Sequence, residues 1–233
     1  MFKDAFLFKC YLIPFLIVSL VAYLIGCVNS SILVTKLFKV QKDIRNVGSG
    51  NAGFTNVLRT MGKKMAVITF LGDFLKGVAA VGLGQWIMSC FFTGSDYKEV
   101  FVYSSYVCCL MCVIGHIYPC FFGFKGGKGI LTTWSAMLLI DWRVFLTLIT
   151  VFIIVVLMSK IVSLASVVAA ISYPISVFLF SCLSGHKFSY NFTIEFLFPT
   201  LVALLISVII LIKHKSNILR LLNGTEKRIS VYK

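Results

Sequence analysis

Three short stretches of this 233-residue chain combine the residue types that hold phosphate. The first is Gly48-Ser49-Gly50-Asn51-Ala52-Gly53-Phe54-Thr55-Asn56-Val57-Leu58-Arg59. Its glycines let backbone N–H groups converge on an anion. A helix opening near Thr55 would place Thr55 and Asn56 on the face of Arg59, by i,i+4 and i,i+3 spacing, as a phosphate clamp. A glycine-rich turn before a capped helix is the plainer reading, and the added Ser49, Asn51, Thr55, Asn56 and Arg59 favour the clamp. The second stretch is Gly123-Phe124-Lys125-Gly126-Gly127-Lys128-Gly129. It lacks the GK[ST] of a Walker A loop, yet it offers flexible N–H groups at Gly126 and Gly127, a following helix N-terminus, and Lys128 as a point charge. An interfacial turn whose lysines face lipid headgroups explains this segment alone equally well; two such loops on one side of a membrane are harder to dismiss. The third stretch is Lys213-His214-Lys215-Ser216-Asn217-Ile218-Leu219-Arg220, where His214, Asn217 and Arg220 recur every third residue on one helical stripe. A juxtamembrane basic helix on anionic lipid is its alternative.

The elements that carry these stretches are membrane helices. Residues of the set AVILMFWYC make up 59% of the chain and charged residues 13%, with mean hydropathy +0.98; soluble domains carry roughly 25% charged residues. Apolar runs near Phe6–Ser30, Met65–Phe92, Phe101–Phe122, Ile130–Ile140, Arg143–Ser159, Ile161–Cys182 and Phe196–Ile212 predict seven spans, the fourth short. A basic loop (residues 36–64), a Gly/Lys turn (123–130), single-residue joints at Asp141 and Lys160, a polar connection at Ser184–Glu195 and a basic tail (213–233) separate or follow them.

The basic residues decide parity. With seven spans, one side holds sixteen Lys and Arg, from loop 36–64, Lys125, Lys128, Lys160 and the tail, and the other holds five: Lys3, Lys9, Lys98, Arg143 and Lys187. The N-terminus is thus expected outside and the C-terminus in the cytoplasm. A single helix over Ile130–Ser159 would put Lys160 and the tail outside, so the short fourth element is expected to turn back at Asp141. The formal charge of +14 fits cytoplasmic loops and anionic substrates alike, and calls for no nucleic acid. The eight cysteines lie almost entirely in apolar runs and read as small hydrophobes rather than a disulfide framework or a zinc site. Asp73 and Lys76 fall inside the second span, either as a functional pair or as a self-neutralised structural one, and His116 is expected in a hydrogen-bonded role at a helix end.

Together, DIRNVGSGNAGFTNVLRT, GDFLKG, GHIYPCFFGFKGGKG, KIVSLAS and KHKSNILRLLNGTEKRI resemble, in order and over nearly the whole chain, the bacterial acyl-phosphate:glycerol-3-phosphate acyltransferase (PlsY) family. The resemblance implies an all-α, seven-span enzyme of the bacterial inner membrane, one membrane-embedded domain over residues 1–233. It implies transfer of a fatty acyl group from acyl phosphate to glycerol 3-phosphate, giving lysophosphatidic acid and phosphate, the first step of phospholipid synthesis. By motif it assigns Ser49, Arg59, Lys128, His214 and Asn217 to catalysis. Gly48, Gly50, Asn51, Thr55 and Asn56 fall in its phosphate-binding loop, and Ser163 and Ser166 match a further serine motif. The partners implied are the two substrates, membrane lipid and the enzyme that makes acyl phosphate, with the chain acting as a monomer. The family's first helix usually ends in a GSIPxG-like run; here Gly26-Cys27-Val28-Asn29-Ser30-Ser31 lacks the proline.

No Ser-His-Asp set and no HxxxxD motif is present, so direct attack of the glycerol hydroxyl on the acyl carbonyl is expected, with His214 or the substrate's own phosphate taking the proton. No carboxylate cluster calls for a metal, and no cofactor is expected. The alternative is a transporter of phosphorylated solutes, which would also want basic glycine loops and intramembrane Asp73 and Lys76. Against it, the polar motifs gather on one side and no inverted repeat is evident. A CDP-alcohol phosphotransferase would need several metal-holding aspartates on one helix, which are missing.

Overall fold

In the computed structural model, residues 2–38, 43–93, 98–183 and 194–229 are described. Lys39 and Lys42 of the basic loop, residues 184–193 of the polar connection and residues 230–233 of the tail lie outside the described residues. The described residues contain helices and no strand. In chain order the helices are α1 (Phe2–Cys27), α2 (Ser30–Leu37), α3 (Phe54–Met61), α4 (Lys63–Phe91), α5 (Lys98–Ile117), α6 (Ile130–Ile140), α7 (Trp142–Ser159), α8 (Val162–Leu183), α9 (Ile194–Lys213) and α10 (Lys215–Leu222).

Each apolar run read from the sequence is helical. Five helices, α4, α5, α7, α8 and α9, are long and apolar enough to cross a membrane. Residues Tyr11–Cys27 of α1 pass the same test jointly with α2, at a bend of 42°. At 11 residues, α6 is shorter than a full crossing. The bend after α1 needs no proline. Asn29 caps α2, its side-chain oxygen accepting from the Ile32 N–H (3.1 Å) and the Ser31 hydroxyl (2.6 Å), which ends one helix and starts the next.

The chain divides into two compact units, one ending at Ile140 and the other starting at Asp141. In the first, α1 packs along α5 and α4, and α4 along α5 and α6. Small residues bring these helices together, as in membrane bundles generally. A Cβ on Gly26 of α1 would collide with the Cys112 carbonyl of α5, and one on Gly77 of α4 with Ser135 of α6. Cys27, Cys108, Cys109 and Cys112 are buried and form no disulfide. Under the basic loop, Ile32, Ile44, Ala52, Val57 and Ala66 form a buried apolar cluster that seats the loop on α2 and α4.

In the second unit, α8 packs between α7 and α9, and α10 folds against α8 and α9. Its buried side chains include Tyr173 and Val177 of α8 and Ile206 and Ile210 of α9, and the two helices are tied by the Ser207 hydroxyl donating to the Ala170 carbonyl (2.6 Å). Both single-residue joints are real chain breaks. Asp141 caps α7 by accepting from the Arg143 N–H (3.0 Å), and Lys160 ends α7 in the left-handed region (φ 61°).

Candidate functional site

The first glycine loop is built around one side chain. Asn56, 2% exposed, accepts the Ser49 N–H on Oδ1 (2.9 Å) and donates from Nδ2 to the carbonyls of Val47 (2.9 Å) and Ile44 (3.1 Å). These bonds supply the loop with the partners a strand or helix would otherwise provide. They force the chain close to the amide: Gly48 sits at φ 62°, where an added Cβ would collide with Asn56 Oδ1. Asn56 therefore faces inward, one position around the helix from the Thr55–Arg59 face. Ser49 and Gly50 are exposed and Asn51 and Thr55 half-buried, at the N-terminal side of α3, where helix amides carry partial positive charge; Arg59, exposed, stands in the last turn of the same helix.

The second loop doubles back on the end of α5. The Gly126 N–H donates to the Ile117 carbonyl and the Gly127 N–H to the His116 carbonyl, both at 3.1 Å. The chain then turns through Gly129 (φ 88°) into α6. Gly127 fits a slot with no room for a side chain, since a Cβ there would collide with His116 Nε2 and lie 2.6 Å from the Ala52 carbonyl oxygen. Gly127 thus packs directly against the first loop. Lys128, half-buried, follows it.

Arg45, which the sequence reading left without a role, clamps the two loops from outside. Its guanidinium pairs with Asp43 (Nη2–Oδ2 2.7 Å) and donates from Nη1 to the Phe122 carbonyl (2.6 Å). The Arg45 hydrogen bonds hold the Asp43 carboxyl below its ordinary range. The D-x-R spacing was the available signal.

In the second unit, the tail centres on Glu226. Its Oε1 accepts from the Ser163 hydroxyl (2.8 Å) and Asn217 Nδ2 (2.9 Å), and its Oε2 from Arg220 Nε (2.6 Å). Burial raises this carboxyl's pKa, and the Arg220, Ser163 and Asn217 bonds outweigh burial to leave it below its usual value. Sequence reasoning missed Glu226; an acidic residue within a basic tail was the only hint. Ser163 and Asn217 meet on it, whereas the Ser166 hydroxyl donates to Val162 of its own helix (3.0 Å). His214, 3% exposed, lies at the α9–α10 joint. Its Nδ1 is 2.8 Å from the Ile210 carbonyl oxygen. A carbonyl only accepts, so Nδ1 donates to it, which in the neutral ring leaves the lone pair on Nε2.

Comparison with known proteins gives these loops a context. The model of the family described as glycerol-3-phosphate acyltransferase matches residues 16–224. A glycerol-3-phosphate acyltransferase of Clostridioides difficile (strain 630) is 39% identical over 215 residues, 92% of this chain and 95% of the relative. One of Aquifex aeolicus (strain VF5) is 38% identical over 89% of this chain and 95% of its own length. The crystal structure of PlsY (YgiH), an integral membrane glycerol 3-phosphate acyltransferase, in its glycerol 3-phosphate form, superposes with TM-score 0.74 at 36% identity, covering 93% of this chain and 96% of that one. Its lysophosphatidic acid form gives TM-score 0.73 at 33% identity, covering 93% and 95%. With the family model spanning most of the chain and relatives matched nearly end to end, this integral membrane protein belongs to the glycerol-3-phosphate acyltransferase family.

Proposed function

We propose that the chain transfers a fatty acyl group from acyl phosphate to the 1-hydroxyl of glycerol 3-phosphate, at the cytoplasmic face of the bacterial inner membrane. The observation that carries this reading is the pair of glycine loops interlocked through Gly127 and Ala52. Next to them stand Arg59 and Lys128, cations that offset the repulsion between two phosphate-bearing substrates. The solved relatives include a glycerol 3-phosphate form and a lysophosphatidic acid form, the acceptor and product of this reaction. Seven crossings with the N-terminus outside put loops 36–64 and 123–130 and the tail 213–233 in the cytoplasm, where an acyl-phosphate-forming enzyme supplies the donor.

In the reaction, the glycerol hydroxyl oxygen attacks the acyl carbonyl carbon. The bond from that carbon to the phosphate oxygen breaks, and phosphate leaves with the electron pair. The hydroxyl proton ends on the departing phosphate. Acyl phosphate is already activated, so positioning and charge stabilisation carry the rate. Ser49, Arg59 and Lys128, with the amides of Gly48, Asn51 and Thr55, hold phosphate oxygens; Gly50, Gly126 and Gly127, whose amides donate to the Val47, Ile117 and His116 carbonyls, and Asn56 shape the loops that present them. In the second unit, Asn217 serves the reaction with His214, and Ser163 supports the tail through Glu226, while Ser166 bonds within α8. The enzyme acts as a monomer, without metal or cofactor.

A transporter would need its intramembrane charges available to solute. Asp73 and Lys76 are instead paired with each other at 2.8 Å and buried. The test is purified protein given glycerol 3-phosphate with palmitoyl phosphate, palmitoyl-CoA or no donor, with lysophosphatidic acid and phosphate as readouts. Product from acyl phosphate alone supports the reading. Glycerol 3-phosphate uptake by sealed vesicles without product favours the transporter.

A further inference from the structure

Beneath the two loops, α4 carries a charged pair that the acyl transfer leaves unused. Asp73 and Lys76 are 2% and 6% exposed. A pair that only neutralised itself would stop at one contact. Lys76 Nζ makes three: Asp73 Oδ1 at 2.8 Å, the Val28 carbonyl oxygen at 2.9 Å and His116 Nδ1 at 2.7 Å. Three acceptors, from the break after α1, from α4 and from α5, thus take up the three N–H groups of one ammonium. Asp73 Oδ1 also accepts from the Ser30 N–H at the start of α2 (3.3 Å).

That ammonium decides which nitrogen of His116 carries the proton. An ammonium donates and cannot accept, so Nδ1 is the bare nitrogen and the neutral ring carries its hydrogen on Nε2. The Nε2 edge is the surface against which Gly127 packs, with the Ala52 carbonyl lining the same slot. The His116 carbonyl also holds the Gly127 N–H. Ring and backbone of one residue therefore grip the second glycine loop where it meets the first.

We infer that His116 is a positioning residue: its tautomer, set by Lys76 and Asp73, fixes the spacing of the two glycine loops and so their grip on phosphate. This rests on the acyltransferase reading for what the phosphate belongs to, but not for the grip itself. A substitution at His116 or in the pair should weaken phosphate binding more than it slows turnover.

The test uses full-length protein labelled with 15N-histidine in detergent. It compares wild type, His116→Asn, and the double variant Asp73→Asn/Lys76→Met, which removes both charges together and strands no buried ion. The ring-nitrogen shifts of His116, assigned by their loss in His116→Asn, should show Nε2 protonated and Nδ1 bare in the wild type. The double variant should show mixed tautomers. Its affinity for inorganic phosphate should fall at least tenfold, and its KM for glycerol 3-phosphate should rise by a similar factor, while kcat changes less than threefold. If the double variant fails to fold, His116→Asn, which keeps an acceptor near Lys76, carries the same binding and kinetic comparison. A wild-type ring protonated on Nδ1, or unchanged phosphate affinity in a folded variant, overturns the inference. A wild-type protein that binds phosphate with the expected tautomer but acylates nothing contradicts the acyltransferase reading instead.

Discussion

Asn56 Oδ1 accepts the backbone N–H of Ser49 at 2.9 Å, across seven residues, so a side chain in the first turn of α3 also sets the shape of the loop before it. Asn56→Ala would orphan that N–H and leave the Val47 and Ile44 carbonyls with only their backbone donors, the Gly50 and Val47 N–H groups. An unsatisfied donor costs about 1–3 kcal/mol, and with three loop-shaping bonds lost together kcat/KM should fall by a factor on the order of 10² as the loop loses its form. Asn56→Asp keeps the acceptor and loses both donors, so it should fall between wild type and alanine. Steady-state kinetics with palmitoyl phosphate, alongside thermal melting, checks the order.

Glu226 makes the tail sensitive to acid. Its folded pKa lies below the ordinary value, so its contribution to stability is complete above the unfolded pKa of about 4.3 and is lost as pH falls through the lower folded value. Glu226→Gln removes the charge facing Arg220 and should lower the melting temperature near neutral pH. Charged hydrogen bonds of about 1.5–3 kcal/mol, at roughly 2–4 °C per kcal/mol for a chain of this size, predict a drop of several degrees. That difference from wild type should shrink below about pH 4, as melting curves across pH would show.

Arg45 holds the two loops together from outside through the Phe122 carbonyl, with Asp43 fixing its fork. The Asp43 pKa is lowered, so its pairing with Arg45 is intact above the ordinary carboxylate range and fails only as pH drops through the lowered value. Activity should therefore show no Asp43 step between pH 5 and 8 (about 3.9 being the free value). Arg45→Lys loses the bidentate pairing and should raise KM for a phosphate substrate roughly tenfold, worth about 1.4 kcal/mol. A pH–rate profile and the variant's KM check both halves.

The helices and their breaks were largely legible because hydrophobic length and single polar interruptions are local signals. Asp141 and Lys160 interrupt apolar runs that would otherwise continue, and each marks a helix end. The glycine loops were legible as types: three glycines near Ser49 and Arg59, and Gly126 and Gly127 before Lys128. Their fit was not. Helical spacing puts Thr55, Asn56 and Arg59 near one face, but only packing on the Ile44–Val57 cluster decides that Asn56 turns inward. The break at Val28–Asn29 carries no proline or glycine and depends on Asn29 as a cap. Glu226 was invisible because its contact with Ser163 spans 63 residues, and the Lys76–His116 contact spans 40.

Gly127 tests whether the loops work as one unit. Gly127→Ala drives a methyl into His116 Nε2 and toward the Ala52 carbonyl, and both are held, by Lys76 and by the apolar cluster. The variant should lose at least 10²-fold in kcat/KM while remaining folded by circular dichroism. Gly123→Ala, where a Cβ meets open space, should cost much less, chiefly from its left-handed φ of 66°.

The most direct measurement is donor-dependent acyl transfer by the purified wild-type protein and its Lys128→Ala variant. Lysophosphatidic acid and phosphate should form in equal amounts from glycerol 3-phosphate and palmitoyl phosphate, with none from palmitoyl-CoA. Lys128→Ala should lower kcat/KM by a factor on the order of 10²–10³, as for loss of one oxyanion-stabilising donor. Product from palmitoyl-CoA, or undiminished activity in the variant, would contradict a reaction run on acyl phosphate at the second glycine loop.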